Sequence, residues 1–143
     1  MKEFVVLHIL HPTKKLVYML KKDRPNMPQL HNKWVGFGGS VEEFDADIYN
    51  ATIREIEEEL NIKLRKNDLK LRGFLFDSKN NHKVWIFITN YNKILKEGEI
   101  KGEGVAKYLP FDYFNKHPEE FPWGNLHYLD KLLNSDKEIE VRV

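Results

Sequence analysis

The chain has 143 residues, a formal net charge of +1, 13% aromatic residues and no cysteine. Lack of cysteine excludes disulfides and thiolate metal sites, and the near-neutral balance argues against a general nucleic-acid binder, which carries a basic excess. The length predicts one domain over residues 1–143, and the absence of a leader-like or membrane-spanning stretch sets a cytoplasmic protein as the expectation.

Phe4 to Leu10 is an apolar, β-branched run that predicts a buried strand. Leu16 to Leu20 predicts its hairpin partner across the His11–Lys14 turn. Lys21 to Lys33 is polar and carries Pro25 and Pro28, which predicts a long loop, and long loops are often functional. Trp34 to Gly39 predicts a short strand entering a glycine turn. A helix follows, with Ile48, Ala51, Ile56 and Leu60 as its core side, Asp45 or Asp47 as N-cap and Asn61 as its stop. Leu69–Phe76 and Val84–Thr89 predict two more strands around a polar turn. Glu97–Gly104 is expected to be a loop, Val105–Leu109 a strand, and Pro110–Phe114 the start of a short helical turn. Leu126–Leu133 has the spacing of an amphipathic helix, and Ile139–Val143 alternates like an edge strand. Helices early and late around strands predict an α/β or α+β sandwich.

The chemistry concentrates on the first helix. Glu55, Glu58 and Glu59 fall at spacings of three and four, so one helix face carries three carboxylates at its C-terminal end. Each like-charge pair costs roughly 0.2–0.5 kcal/mol, and the helix dipole adds on the order of 0.3–1 kcal/mol per misplaced acid. A divalent cation turns that cost into a binding site, and hard oxygen ligands select Mg²⁺ or Mn²⁺ over zinc or copper. The competing reading is a solvated acidic helix end.

Gly39, five residues, Asp45, and then Arg54-Glu55-Ile56-Glu57-Glu58-Glu59-Leu60-Asn61-Ile62 resemble the Nudix box, G-x5-E-x7-R-E-U-x-E-E-x-G-U, with U a bulky aliphatic; the box spans about residues 38–62. Leu30–Gly39 resembles the approach to the box in MutT-like oxidised-nucleotide hydrolases, and Glu103–Pro110 their later Glu-to-aromatic strand. Four departures stand out. Asp45 replaces the first box Glu, Phe44 replaces a glycine, Asn61 replaces the late glycine, and one extra residue separates Asp45 from Arg54.

The resemblance implies an α/β/α sandwich whose mixed, partly parallel sheet lies between helices. It implies Mg²⁺-dependent hydrolysis (Mn²⁺ possible) of a nucleoside diphosphate-linked substrate, an oxidised purine nucleoside triphosphate foremost, to monophosphate and pyrophosphate. Glu55, Glu58, Glu59 and the Gly38 carbonyl would bind metal, with Glu103 joining them. Glu55 or Glu103 would be the general base, and Arg54 would orient the box through Asp45 or Glu58. Lys21, Lys22, Arg24 and Lys33 are the candidate phosphate contacts. Trp123 and Asn125 are candidates to stack on and read the base, and Phe37 is a core or pocket-floor residue. Alternatives are a nucleotide sugar, ADP-ribose or pterin triphosphate as substrate, or a nucleotide-binding module on the same fold that does not catalyse.

Overall fold

The computed structural model describes residues 1–123 and 127–143. Its strands are β1 (Lys2–His11), β2 (Leu16–Lys22), β3 (Trp34–Val35), β4 (Phe37–Ser40), β5 (Lys70–Asp77), β6 (His82–Asn90), β7 (Gly98–Ile100), β8 (Gly104–Pro110) and β9 (Ile139–Arg142). The helices are α1 (Ile48–Leu60), α2 (Tyr113–Lys116) and α3 (Leu129–Asn134). All the strands join one mixed sheet in the order β7-β8-β2-β1-β6-β5-β9, with β3 attached to β2 and β4 to β1. The β1–β6 and β5–β9 pairs are parallel. Among the described residues no helix is long and apolar enough to cross a membrane.

Alternation along β1 builds a core on each face of the sheet. Val5, Leu7 and Ile9 pack with Ala51 and Ile56 of α1, together with Phe37, Phe87 and Tyr18. Leu10 instead joins Met19, Leu75, Ile86, Phe114 of α2, and Leu129 and Leu132 of α3. The period-two side-chain geometry of a strand makes this two-sided burial possible, and the result is the expected α/β/α sandwich.

Two buried polar groups tie the C-terminal segment to the sheet. Arg72 of β5 is 4% exposed and donates to the carbonyls of Leu132, Ser135 and Lys137 at 2.8–2.9 Å. A cation is thus held beside the carbonyl end of α3, where the helix dipole is negative. His8 Nε2 lies 2.7 Å from the Tyr128 hydroxyl, and its Nδ1 has no hydrogen-bond partner among the described residues.

Helix α1 starts where Asp47, rather than Asp45, accepts the Asn50 N–H at 2.8 Å. It stops at Asn61, whose φ of 55° is left-handed and whose N–H donates to Glu57. Other boundaries moved. Within the expected 97–104 loop, β7 pairs with β8 from Gly98↔Ala106 to Ile100↔Gly104; three glycines in so short a segment hid its strand character. The last helix begins at Leu129 rather than Leu126, with Tyr128 before it; Leu126 lies outside the described residues.

Candidate active site

The packing of α1 against β4 brings the acids onto the sheet. At Gly39 a Cβ would lie 2.5 Å from Glu55 Oε1, and at Gly38 it would run into the Val5 carbonyl. Only glycine leaves room for the Glu55 carboxylate against one residue and for the β1 backbone against the other.

Arg54 is the hub of the helix. It donates Nε to Asp45 Oδ1 (3.0 Å) and Nη2 to Asp45 Oδ2 (2.9 Å). It also reaches the Ser40 carbonyl at 3.0 Å, Glu55 Oε1 at 3.1 Å and Glu58 Oε1 at 3.4 Å. A planar guanidinium with five N–H donors can serve so many partners at once; an ammonium cannot. Asp45 is brought to it by a tight turn, in which Asp45 N–H donates to Glu42 O and Glu42 N–H to Asp45 Oδ2. The Arg54 bonds, foremost, hold the Asp45 carboxyl below the usual range. Helix α1 runs unbroken from Ile48, and a bend at Ala46–Asp47 joins it to Asp45. Phe44, where the box has glycine, lays its ring 5.2 Å from the Arg54 guanidinium carbon, a cation–π contact on the outer side of the hub.

An open cleft of about 1050 Å³ is lined by Glu55, Glu59 and Glu103, by Lys22 and Arg24, by Gly38 and Gly39, and by Trp123. Phe4 and Val84 add apolar surface from β1 and β6. Burial is the main reason that the Glu59 carboxyl is pushed up to about 8; the charges of Glu103 and Glu55 add to it, against Lys22 and a hydrogen bond from the Gly38 backbone. Glu55 is also raised, chiefly by burial, with Arg54 opposing. Glu103 lies on the turn between β7 and β8, 3.6 Å from Arg24 Nη2. The Glu58 side chain is 58% exposed and pairs with Arg54, but it is not among the residues that line the cleft.

The carboxylates of Glu55, Glu59 and Glu103 are not all within 4.8 Å of one another; among the described residues His117, Glu119 and Glu120 form such a group. Glu120 Oε1 there already accepts from Trp34 Nε1 and the Tyr113 hydroxyl, which accounts for it as a structural anchor.

The structure separates the expected substrate contacts. Arg24 and Trp123 line the cleft, and Trp123 holds a left-handed φ of 62°, rare for a bulky residue. Phe37 is corrected from a pocket-floor to a core residue, since it is fully buried and stacked 5.3 Å from Tyr18. Lys33 is turned away from the cleft, its Nζ bound to the Glu119 carbonyl at 2.5 Å. Asn125 lies outside the described residues. Sequence reasoning missed Phe4 and Val84 as cleft surface, because the parallel pairing of β1 with β6 that sets them side by side leaves no local signal.

This is the fold of the Nudix hydrolases. Residues 1–132 match the family model of the NUDIX domain, and the chain belongs to that family. Among solved structures it is similar to MutT from Bacillus halodurans, at 19% identity and a TM-score of 0.70, covering 98% of this chain and 87% of that one. MutT from Aliivibrio salmonicida and Vibrio cholerae is similar at 17% identity and a TM-score of 0.66, over 92% and 94% of the two chains. A bifunctional NMN adenylyltransferase/ADP ribose pyrophosphatase from Francisella tularensis, complexed with AMP and a Mn ion, is similar at 16% identity and a TM-score of 0.66. That likeness covers 92% of this chain and 40% of the longer protein. None of the curated protein sequences compared with the chain matches it.

Proposed function

We propose that the chain is a cytoplasmic nucleotide hydrolase that cleaves a purine nucleoside triphosphate, oxidised forms such as 8-oxo-dGTP foremost, to monophosphate and pyrophosphate. The observation that carries this reading is the convergence of Glu55, Glu59 and Glu103 with Lys22 and Arg24 in one cleft that Trp123 also lines.

The donor set fits Mg²⁺ or Mn²⁺, because carboxylate oxygens are hard ligands, and burial, with neighbouring acids adding to it, raises the proton affinity of Glu59 and Glu55, which leaves the cluster short of positive charge. Glu55, Glu58 and Glu59, with the Gly38 carbonyl and Glu103, would hold the cation. When bound, it neutralises charge on the phosphates and on the transition state. Arg54 fixes the Glu55 and Glu58 carboxylates relative to the Ser40 backbone. Lys22 and Arg24 take phosphate oxygens. Glu55 or Glu103 accepts a proton from the attacking water as its oxygen bonds to phosphorus. The bridging P–O bond breaks in line, and pyrophosphate leaves with the electron pair. Trp123 stacks on the base and Asn125 reads its edge.

A second reading is a diphosphate joined to a further sugar, as in ADP-ribose or a nucleotide sugar. It is favoured by the length of the cleft, which runs on to Asp77, Lys79 and His82 at the β5–β6 turn.

The test is monophosphate and pyrophosphate formation with Mg²⁺ from 8-oxo-dGTP, dGTP, dATP, ADP-ribose and a nucleotide sugar. Selective turnover of 8-oxo-dGTP, lost in Glu58→Gln, supports the proposal. Monophosphate without pyrophosphate from ADP-ribose or the nucleotide sugar selects the second reading. Binding without turnover across the panel refutes both and selects a nucleotide-binding module.

A further inference from the structure

Residues 23–32 contain neither helix nor strand, yet the ends of the segment are joined. Lys22 N–H donates to the Lys33 carbonyl at 3.0 Å, and Asn32 N–H to the Lys22 carbonyl at 2.8 Å. A loop of this length with its ends together is an Ω-loop, held by its own side chains. Two consecutive amides at its base are held, one from outside the loop and one from its far end. Asp23 N–H donates to the Glu103 carbonyl at 3.0 Å. Arg24 N–H donates to Nδ1 of His31, also at 3.0 Å. Because Nδ1 accepts, the ring proton is on Nε2. The Asp23 carboxylate, 3.8 Å from the same nitrogen, is too far for a hydrogen bond. With its amide fixed this way, Arg24 places its guanidinium 3.6 Å from Glu103 and in the cleft. His31 does not line the cleft, so any effect it has passes through Arg24.

We infer that His31 is a positioning residue: by accepting the Arg24 amide it folds the Ω-loop into the shape that presents the Arg24 guanidinium to substrate phosphates beside Glu103. What Arg24 touches rests on the hydrolase proposal; the loop geometry does not. The test compares His31→Ala with His31→Asn, whose Oδ1 can stand in for Nδ1. Amide hydrogen exchange at Arg24, followed by NMR, is expected to quicken about tenfold in His31→Ala, as befits the loss of one hydrogen bond, and to stay near wild type in His31→Asn. The KM for the triphosphate is expected to rise by a similar factor in His31→Ala with kcat nearly unchanged, to recover in His31→Asn, and to rise no further when His31→Ala is added to Arg24→Ala. Unchanged exchange at Arg24 in His31→Ala, equal losses in the two His31 variants, or additive effects in the double variant would overturn the inference. Exchange needs no substrate, so a chain inactive on every nucleotide would sink the hydrolase proposal and leave exchange to decide His31.

Discussion

Glu59 offers a test in which removing a site residue should strengthen the protein. Its carboxyl is pushed from an ordinary 4.5 up to about 8, chiefly by burial. Between those values the folded chain keeps a proton that the unfolded chain has released, so folding takes up a proton and stability falls as pH rises. At pH 7.5 the full penalty is about 4 kcal/mol, from three pH units at about 1.4 kcal/mol each. Residual contact with solvent reduces this to about 2 kcal/mol. Glu59→Gln keeps the shape and removes the charge. In a chelator at pH 7.5 its thermal midpoint should exceed that of the wild type by about 4–8 °C, at about 2–4 °C per kcal/mol for a domain of this size. The gap should close near pH 4.5. Adding Mg²⁺ should reverse the order, since wild type gains stability from a cation that the variant binds poorly. Calorimetry across pH, with and without Mg²⁺, reads all of this. A variant no more stable than wild type at pH 7.5 in the chelator, or two parallel pH curves, would refute the reasoning.

Other perturbations probe the rest of the molecule. His8 and His127 are both held down at about 3, His8 by burial and then by His127, His127 by burial; protons bind the unfolded chain first, so stability should be lost as pH drops below 6.5. At pH 5 the loss is about 2 kcal/mol per ring, and urea midpoints taken in the Glu59→Gln background, free of the opposing proton uptake, should fall between pH 7 and 5; a flat profile contradicts neutral buried rings. Arg54→Lys keeps the charge but not the paired bonds to Asp45, so kcat/KM should drop about 10–100-fold with an unchanged circular dichroism spectrum, and wild-type turnover would remove Arg54 from the site. Trp123→Ala should raise KM for a purine triphosphate far more than for a simple phosphate ester, an equal effect on both marking a packing role. Arg72→Leu strands three carbonyls and should cost about 2–4 kcal/mol, seen as a lower urea midpoint; an unmoved midpoint would mean that the clamp carries no stability.

What the chain reveals in sequence depends on how local the physics is. Helix α1 was legible because its cap, its stop and its acids all lie within one segment, and the β1–β2 hairpin because its turn separates two apolar runs. Phe37 was ambiguous because both faces of the sheet are covered, so alternation along β4 does not say which side meets the ligand. Lys33 misled because nothing local announces the Glu119 carbonyl that takes its Nζ. Arg54 was legible as an ion-pairing residue, but the turn at Glu42–Asp45 that lets the shorter Asp45 serve in place of a glutamate emerges only when the backbone is folded. Glu103 lies in a Glu-rich loop with Glu97 and Glu99, and in sequence only the resemblance of Glu103–Pro110 to the family's later strand marks it; the contact with Arg24 and its place in the cleft separate it from them.

The long parallel ladder between β1 and β6 has a consequence for how the protein is made. Its register runs from Lys2↔His82 to Leu10↔Asn90, so each pair closes a loop of 80 residues. Such distant partners slow folding, because closure entropy is lost before the contacts repay it. On the ribosome, β1 emerges early and stays without its parallel neighbour until β6 has cleared the exit tunnel. For that interval the edge of β1 that β6 will pair with, from Lys2 to Leu10, stays open, and a nascent chain with such an unpaired strand edge is a natural client for a holding chaperone.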